Sequence, residues 1–69
     1  MKKPTPQAVA LMHAIDKLGG QTAAAHKLSV TQQAVQYWLK SGRLPPLRVL
    51  AVEAASGVSR KALRPDIYP

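Results

Sequence analysis

Cysteine is absent from the 69-residue chain, which excludes a disulfide framework and a thiolate metal site. Nothing in the chain therefore calls for an oxidising compartment. Phenylalanine is absent too, and one tryptophan and two tyrosines are all the aromatics there are. Alanine carries much of the apolar content, which suits close helix packing better than a sheet. No continuous apolar stretch follows Met1-Lys2-Lys3-Pro4, which argues against a signal peptide, and no stretch is long enough to span a membrane. The cytoplasm is the expected location. Acidic residues number only three, Asp16, Glu53 and Asp66. They are scattered, so there are no paired carboxylates, and no glycine-rich phosphate loop accompanies them. His13 and His26 have no partners at metal-ligand spacing, and no local motif points to a Ser–His nucleophile pair. The expectation is no enzyme, no cofactor and no metal.

Positive charge is what the chain has in excess. Ten Lys and Arg against three acids give a formal net charge of +7 and a pI near 10.4. Such an imbalance favours a polyanionic partner, nucleic acid first and an acidic membrane surface second. The length allows one domain with a small core and little room for an enclosed active site.

The punctuation is helical throughout, without strand alternation, repeats or low-complexity segments. Met1 to Pro4 reads as a frayed basic arm. Thr5 can cap a first helix with Pro6 at its first position, where no needed amide is lost. This helix runs to about Leu18, with Val9 (or Ala8), Leu11, Met12, Ile15 and Leu18 as its apolar stripe. Gly19-Gly20 ends it. A second helix covers about Gln21 to Leu28 and a third about Gln32 to Lys40, stopped by Ser41-Gly42. Arg43-Leu44-Pro45-Pro46 reads as an extended connector, since each proline pushes the preceding residue out of the helical region. A fourth helix begins near Pro46 and runs to about Ser56, with Leu47, Leu50 and Ala54 inward, and Gly57 closes it. Ser59 can cap a short turn, Arg60 to Leu63, which Pro65 stops. Residues 66–69 read as an extended tail.

The stretch QTAAAHKLSVTQQAVQYWL, Gln21 to Leu39, organises the rest. Ala24, Ala25 and Leu28 share one helical face. After a break at Ser29-Val30, Thr31 can cap the next helix, whose apolar face is Val35, Trp38 and Leu39. Gln32, Gln33 and Gln36, with Tyr37, lie elsewhere around it. Two short helices with a common core, the second carrying amides at its exposed start, have the layout of a DNA-binding helix-turn-helix. A glutamine amide offers a donor and an acceptor together, matching N6 and N7 of adenine. Gln32 and Gln33 fall in the first turn, with Gln36 and Tyr37 one turn on. Thr31 can reach a phosphate or a thymine methyl. Glutamine is also common on solvated faces, so it is the helix-turn-helix frame that makes these residues candidates. Lys27, Lys40, Arg43 and Arg48 flank the stretch and can anchor it on phosphates. Arg60, Lys61 and Arg64 form a second basic cluster. Trp38, at three residues from Val35, reads as core.

This stretch resembles the helix-turn-helix of lambdoid Cro and repressor proteins in its leading Gln21-Thr22, in Ala25, in Val30 after the turn, and in Val35 and Trp38. The start Thr31-Gln32-Gln33 looks like that of phage recognition helices. Over nearly its whole length the chain is similar to the YdaS-like family, prophage-encoded Cro-type proteins described as antitoxins. The residues concerned are Gly19-Gly20-Gln21-Thr22, then Gln32-Gln33-Ala34-Val35 with Trp38, then Gly42-Arg43-Leu44-Pro45-Pro46. Arg48 to Ala55, Gly57-Val58-Ser59-Arg60 and Leu63 to Pro69 complete the resemblance. It implies operator binding and repression in a phage or prophage region, Gln21 and Thr22 among the contacting residues, and a toxin encoded alongside. The chain departs from the family in two places. Ser29 stands where glycine is usual, at a cost of about 1 kcal/mol if left-handed. Gln36-Tyr37 replaces a small-plus-basic pair, so the operator sequence does not carry over.

The expectation is an all-α domain over 1–69, four helices plus a short fifth, with the helix-turn-helix at about 21–40 and tails at 1–4 and 65–69. Its expected function is sequence-specific binding of double-stranded DNA by Gln21, Thr22, Thr31, Gln32, Gln33, Gln36, Tyr37, Lys40 and Arg43, as a Cro-like repressor. Two-fold related half-sites call for a dimer on DNA. No long apolar stretch is left over for a large interface, so a monomer or weak homodimer is expected in free solution. One rival reading is an antitoxin-type module that neutralises a co-encoded toxin by direct contact. Another is a membrane-active basic protein, against which the ordered caps and Trp38 argue.

Overall fold

The computed structural model describes residues 4–69, so the basic arm expected over Met1 to Pro4 lies, Pro4 apart, outside the described residues. Among these residues five helices follow one another: α1 (Pro6–Lys17), α2 (Gln21–Leu28), α3 (Gln32–Ser41), α4 (Pro46–Ser56) and α5 (Arg60–Leu63). No strand occurs among the described residues. The boundaries follow the caps. Thr5 Oγ1 accepts from Ala8 N at 3.2 Å and Thr31 Oγ1 from Ala34 N at 3.1 Å, each satisfying one amide that the helix start leaves free.

Between α1 and α2 the chain turns within two glycines. Gly19 N donates to the Asp16 carbonyl and Gly20 N to the Ile15 carbonyl, both at 3.0 Å, the paired bonds of a Schellman ending. Gly20 then starts α2 at φ 102°, ψ −178°, a region essentially closed to residues with a Cβ. This turn lets α2 pack back on α1 within two residues.

The core is one cluster: Leu11, Ala14, Ile15 and Leu18 of α1, Ala24, Ala25 and Leu28 of α2, Val35 and Trp38 of α3, Leu44, Val49, Val52 and Leu63. It corrects the expected apolar stripes in two helices. In α1, Val9 and Met12 are 45% and 50% exposed, while Ala14 is fully buried. Both α4 and α5 pack on α1, and an alanine lets them approach. In α4, Val49 and Val52 face the core, whereas Leu47, Leu50 and Ala54 point outward. The connector hides Leu44 completely, a plug that follows from its place between two elements rather than from any periodicity.

Residues 65–69 do not extend as a tail. Ile67 N and Tyr68 N both donate to the Arg64 carbonyl, at 3.2 and 2.9 Å, closing a turn that brings Tyr68 half into the core. No helix among the described residues is long and apolar enough to cross a membrane.

Candidate nucleic-acid interface

α2 and α3 meet through a three-residue turn built on one left-handed residue. Ser29 sits at φ 57°, ψ 42°, and no other non-glycine among the described residues has positive φ. Ser29 N donates to the His26 carbonyl at 3.3 Å and Val30 N to the Ala25 carbonyl at 2.9 Å, which closes α2 in the Schellman manner. Val30 packs against the core, and Thr31, extended at φ −79°, ψ 155°, opens α3. Thr31 caps α3 as expected, and Ser29 takes the left-handed conformation that glycine would adopt without strain.

α3 has two clearly divided sides. Val35 and Trp38 are buried and Leu39 is half-buried. Thr31, Gln32, Gln33, Gln36, Tyr37 and Lys40 are all exposed, Tyr37 to 68%. Gln32 and Gln36, and Gln33 and Tyr37, are four apart, so each pair stacks one turn above the other on the outer side. No acidic residue lies in the first turn of α3, so the positive end of its dipole faces outward uncompensated. At the other end Gly42 N and Ser41 Oγ both donate to the Trp38 carbonyl, at 2.8 and 3.2 Å. Gly42 is left-handed at φ 74°, and a Cβ there would come within 3.2 Å of the Ala8 Cβ. The end of α3 is thereby pressed against α1, with Lys40 and Arg43 exposed on either side of the cap. Thr22 is exposed at the start of α2. Gln21 is set apart: half-buried, it lines a groove of about 370 Å³ with Met12, Ile15, Asp16 and Leu39, toward the later part of α3 rather than its start.

The basic residues divide into two groups. Arg64, buried at 8% exposure, donates from Nε and Nη2 to both carboxylate oxygens of Asp66, at 2.9 and 2.7 Å, and from Nη1 to the Leu44 carbonyl at 2.8 Å. It fastens the chain end to the connector after α3. The Arg64 hydrogen bonds hold the Asp66 carboxyl at about 2, against burial, which acts the other way. Arg60 donates from its backbone N and its Nε to Glu53, at 2.6 and 3.0 Å, and its guanidinium lies 5.6 Å from the Tyr68 ring centroid. Those bonds, the backbone one foremost, lower the Glu53 pKa. The second basic cluster expected from sequence is therefore divided: Arg60 and Arg64 are structural, and Lys61 alone is free of an ion pair among the described residues. The signal that could have shown this is the presence of Glu53 and Asp66, since two of only three acids lie close in sequence to these arginines. Lys17, Lys27, Lys40, Arg43 and Arg48 are exposed and lie in no ion pair among the described residues. No group of three His, Asp or Glu side chains among the described residues could hold a metal ion.

Compared with known protein families, residues 11–69 match the family described as bacterial toxin YdaS. The chain belongs to the bacterial toxin YdaS family. No curated protein and no solved structure gives a match. The YdaS match begins within α1 and takes in the helix-turn-helix, the Leu44 plug, α4 and the Arg64–Asp66 turn. All the candidate residues fall inside it.

Proposed function

We propose that the chain binds double-stranded DNA sequence-specifically, with α3 entering the major groove by its N-terminus, and represses transcription by occupying an operator as phage Cro proteins do. The observation that supports this reading most is the outer side of α3: capped by Thr31, free of acids, and carrying Gln32, Gln33, Gln36 and Tyr37 into solvent. Gln33 and Gln32 take base edges, adenine N6 and N7 being the best match for an amide. Gln36 and Tyr37 reach the next positions along the groove. Thr31 meets a phosphate or a thymine methyl. Lys40 and Arg43, with Lys27 and Arg48, hold phosphates and set register. Thr22 and Gln21 serve the backbone from α2, with Gln21 the weaker member because it is half-buried. No catalytic step, metal or cofactor belongs to this function, and its place is the cytoplasm, at the nucleoid.

In-vitro selection from a random duplex library tests this. The expected result is enrichment of one sequence in two-fold related half-sites. Recovery of unrelated duplexes at equal affinity would leave only non-specific binding. The description of the family as a bacterial toxin favours a second reading: a role in a toxin–antitoxin pair through direct contact with a co-encoded protein. Capture of that protein in a pull-down treated with DNase would support it, and loss of capture on DNase treatment would return the contact to shared DNA.

A further inference from the structure

The outward side of α4 is apolar. Leu47, Leu50, Ala51 and Ala54 are all exposed, Leu47 to 93% and Leu50 to 49%. Their spacing places them in one stripe, directly opposite the Val49 and Val52 that hold the helix to the core. Single exposed leucines are ordinary, but four apolar positions in line on an anchored helix form a patch.

We infer that this stripe seats a second copy of the chain, α4 against α4 across a two-fold axis, in a dimer that is weak in solution and completed on DNA. The inference rests on the DNA-binding reading above. The stripe is self-complementary, as a two-fold contact requires. When two α4 helices cross antiparallel with the axis between Leu50 and Ala51, Leu47 of one copy faces Ala54 of the other, and Leu50 faces Ala51. Each large side chain meets a small one. The molecule measures 28 × 27 × 18 Å, the same order as the ~34–36 Å between half-sites one helical turn apart, so two copies side by side are large enough to span both. The area then sets the strength. An 11-residue helix is about 16 Å long, and two of them crossing bury a few hundred Å², well short of the roughly 1,200 Å² of a stable interface. Each copy also carries a formal charge of +7, so the pair repels itself until phosphates neutralise it. α4 packs on α1, α2 and α5 but not on α3, so a copy seated there leaves α3 open.

The absence of cysteine makes the contact easy to probe. Ala51→Cys places a single thiol next to the axis, and Ala62→Cys places one on the exposed side of α5 as a control. Mild oxidation of each is followed on non-reducing gels, alone at rising protein concentration and with the duplex recovered by selection. Ala51→Cys is expected to form covalent dimer about tenfold or more faster than Ala62→Cys, at lower concentration once duplex is present. Adding Leu47→Gln to Ala51→Cys should slow it about tenfold or more, the worth of a buried leucine, with the helical signal unchanged because Leu47 lies outside the core. Equal rates for the two cysteines, or a rate indifferent to Leu47→Gln, would overturn the α4 pairing. Failure of the DNA reading looks different: Ala51 cross-links at high concentration, Leu47→Gln suppresses it, and no duplex accelerates it.

Discussion

Tyr37 and Trp38 are neighbours in the chain and opposites in exposure, and the period of α3 alone decides which is which. Trp38 falls three residues from Val35, so both enter the core, while Tyr37 is carried outward with Gln33. Trp38→Ala should cost roughly 3–5 kcal/mol, a large part of the ~5–15 kcal/mol that holds an ordinary domain. Urea unfolding followed by circular dichroism checks it, and an unchanged midpoint would require the phase of α3 to be redrawn. Such phases are legible in sequence when the two sides of a helix differ in chemistry. Ala14 was hidden from that reading because an alanine is small enough for either side, and only the close approach of α4 and α5 fixes it inside. The role of Arg64 is not legible in the sequence, for another reason. A cation near a chain end looks like solvent-facing charge until the turn at 65–67 folds Asp66 beneath it. The Asp66 carboxyl, held at about 2, lies below its ordinary unfolded value of ~3.9. Its stabilisation is therefore complete above about pH 4 and is lost as pH falls toward 2. Asp66→Asn should lower the melting temperature at neutral pH and flatten the stability profile between those limits. A variant with an acid limb as steep as the parent's would show that other carboxylates govern it.

At the scale of elements, the turn between α2 and α3 holds a left-handed serine where glycine would sit without strain. Ser29→Gly should stabilise the fold by up to about 1 kcal/mol, the cost of a Cβ in that conformation offset by glycine's greater freedom when unfolded. Thermal melts of the two chains measure it, and a lower melting temperature for the variant would mean that the Ser29 side chain contributes more than its backbone costs. Element order and boundaries were almost wholly legible, because Thr5, Thr31, Ser59, Gly42 and Gly57 mark helix ends by local chemistry. The inner side of α4 was not. That helix is apolar nearly all round, with Leu47, Leu50 and Ala54 on one side and Val49 and Val52 on the other. Periodicity finds both stripes and cannot rank them. The β-branched pair lies inside because of how α1, α2 and α5 close over it, a tertiary fact that local patterning does not contain.

The whole molecule leaves most of its surplus charge outside its ion pairs. Glu53 and Asp66 are taken by Arg60 and Arg64, and Lys27, Lys40, Arg43 and Arg48 are left exposed around α3 and the start of α4. If these four meet phosphates, log affinity should fall with log salt at a slope of about −3 to −4, near −0.9 for each. Lys40→Ala should make the slope shallower by about 0.9 and weaken selected and scrambled duplex alike. A flat response would remove DNA from the account. Helix-turn-helix geometry was thus legible, and so was the outward amide side of α3, while the proposed DNA reading fixes no base sequence, because an exposed amide suits more than one base edge. The most direct measurement is a titration of the parent and Gln33→Ala against the selected duplex and a scrambled one at a single salt concentration. Gln33 is exposed in the first turn of α3, so folding should be intact. The account predicts a loss of roughly 1–3 kcal/mol on the selected duplex, the range of a bidentate base contact, with the scrambled duplex bound as before. Equal weakening on both duplexes would make Gln33 a positioning residue, and no change on either would contradict the claim that α3 reads the sequence.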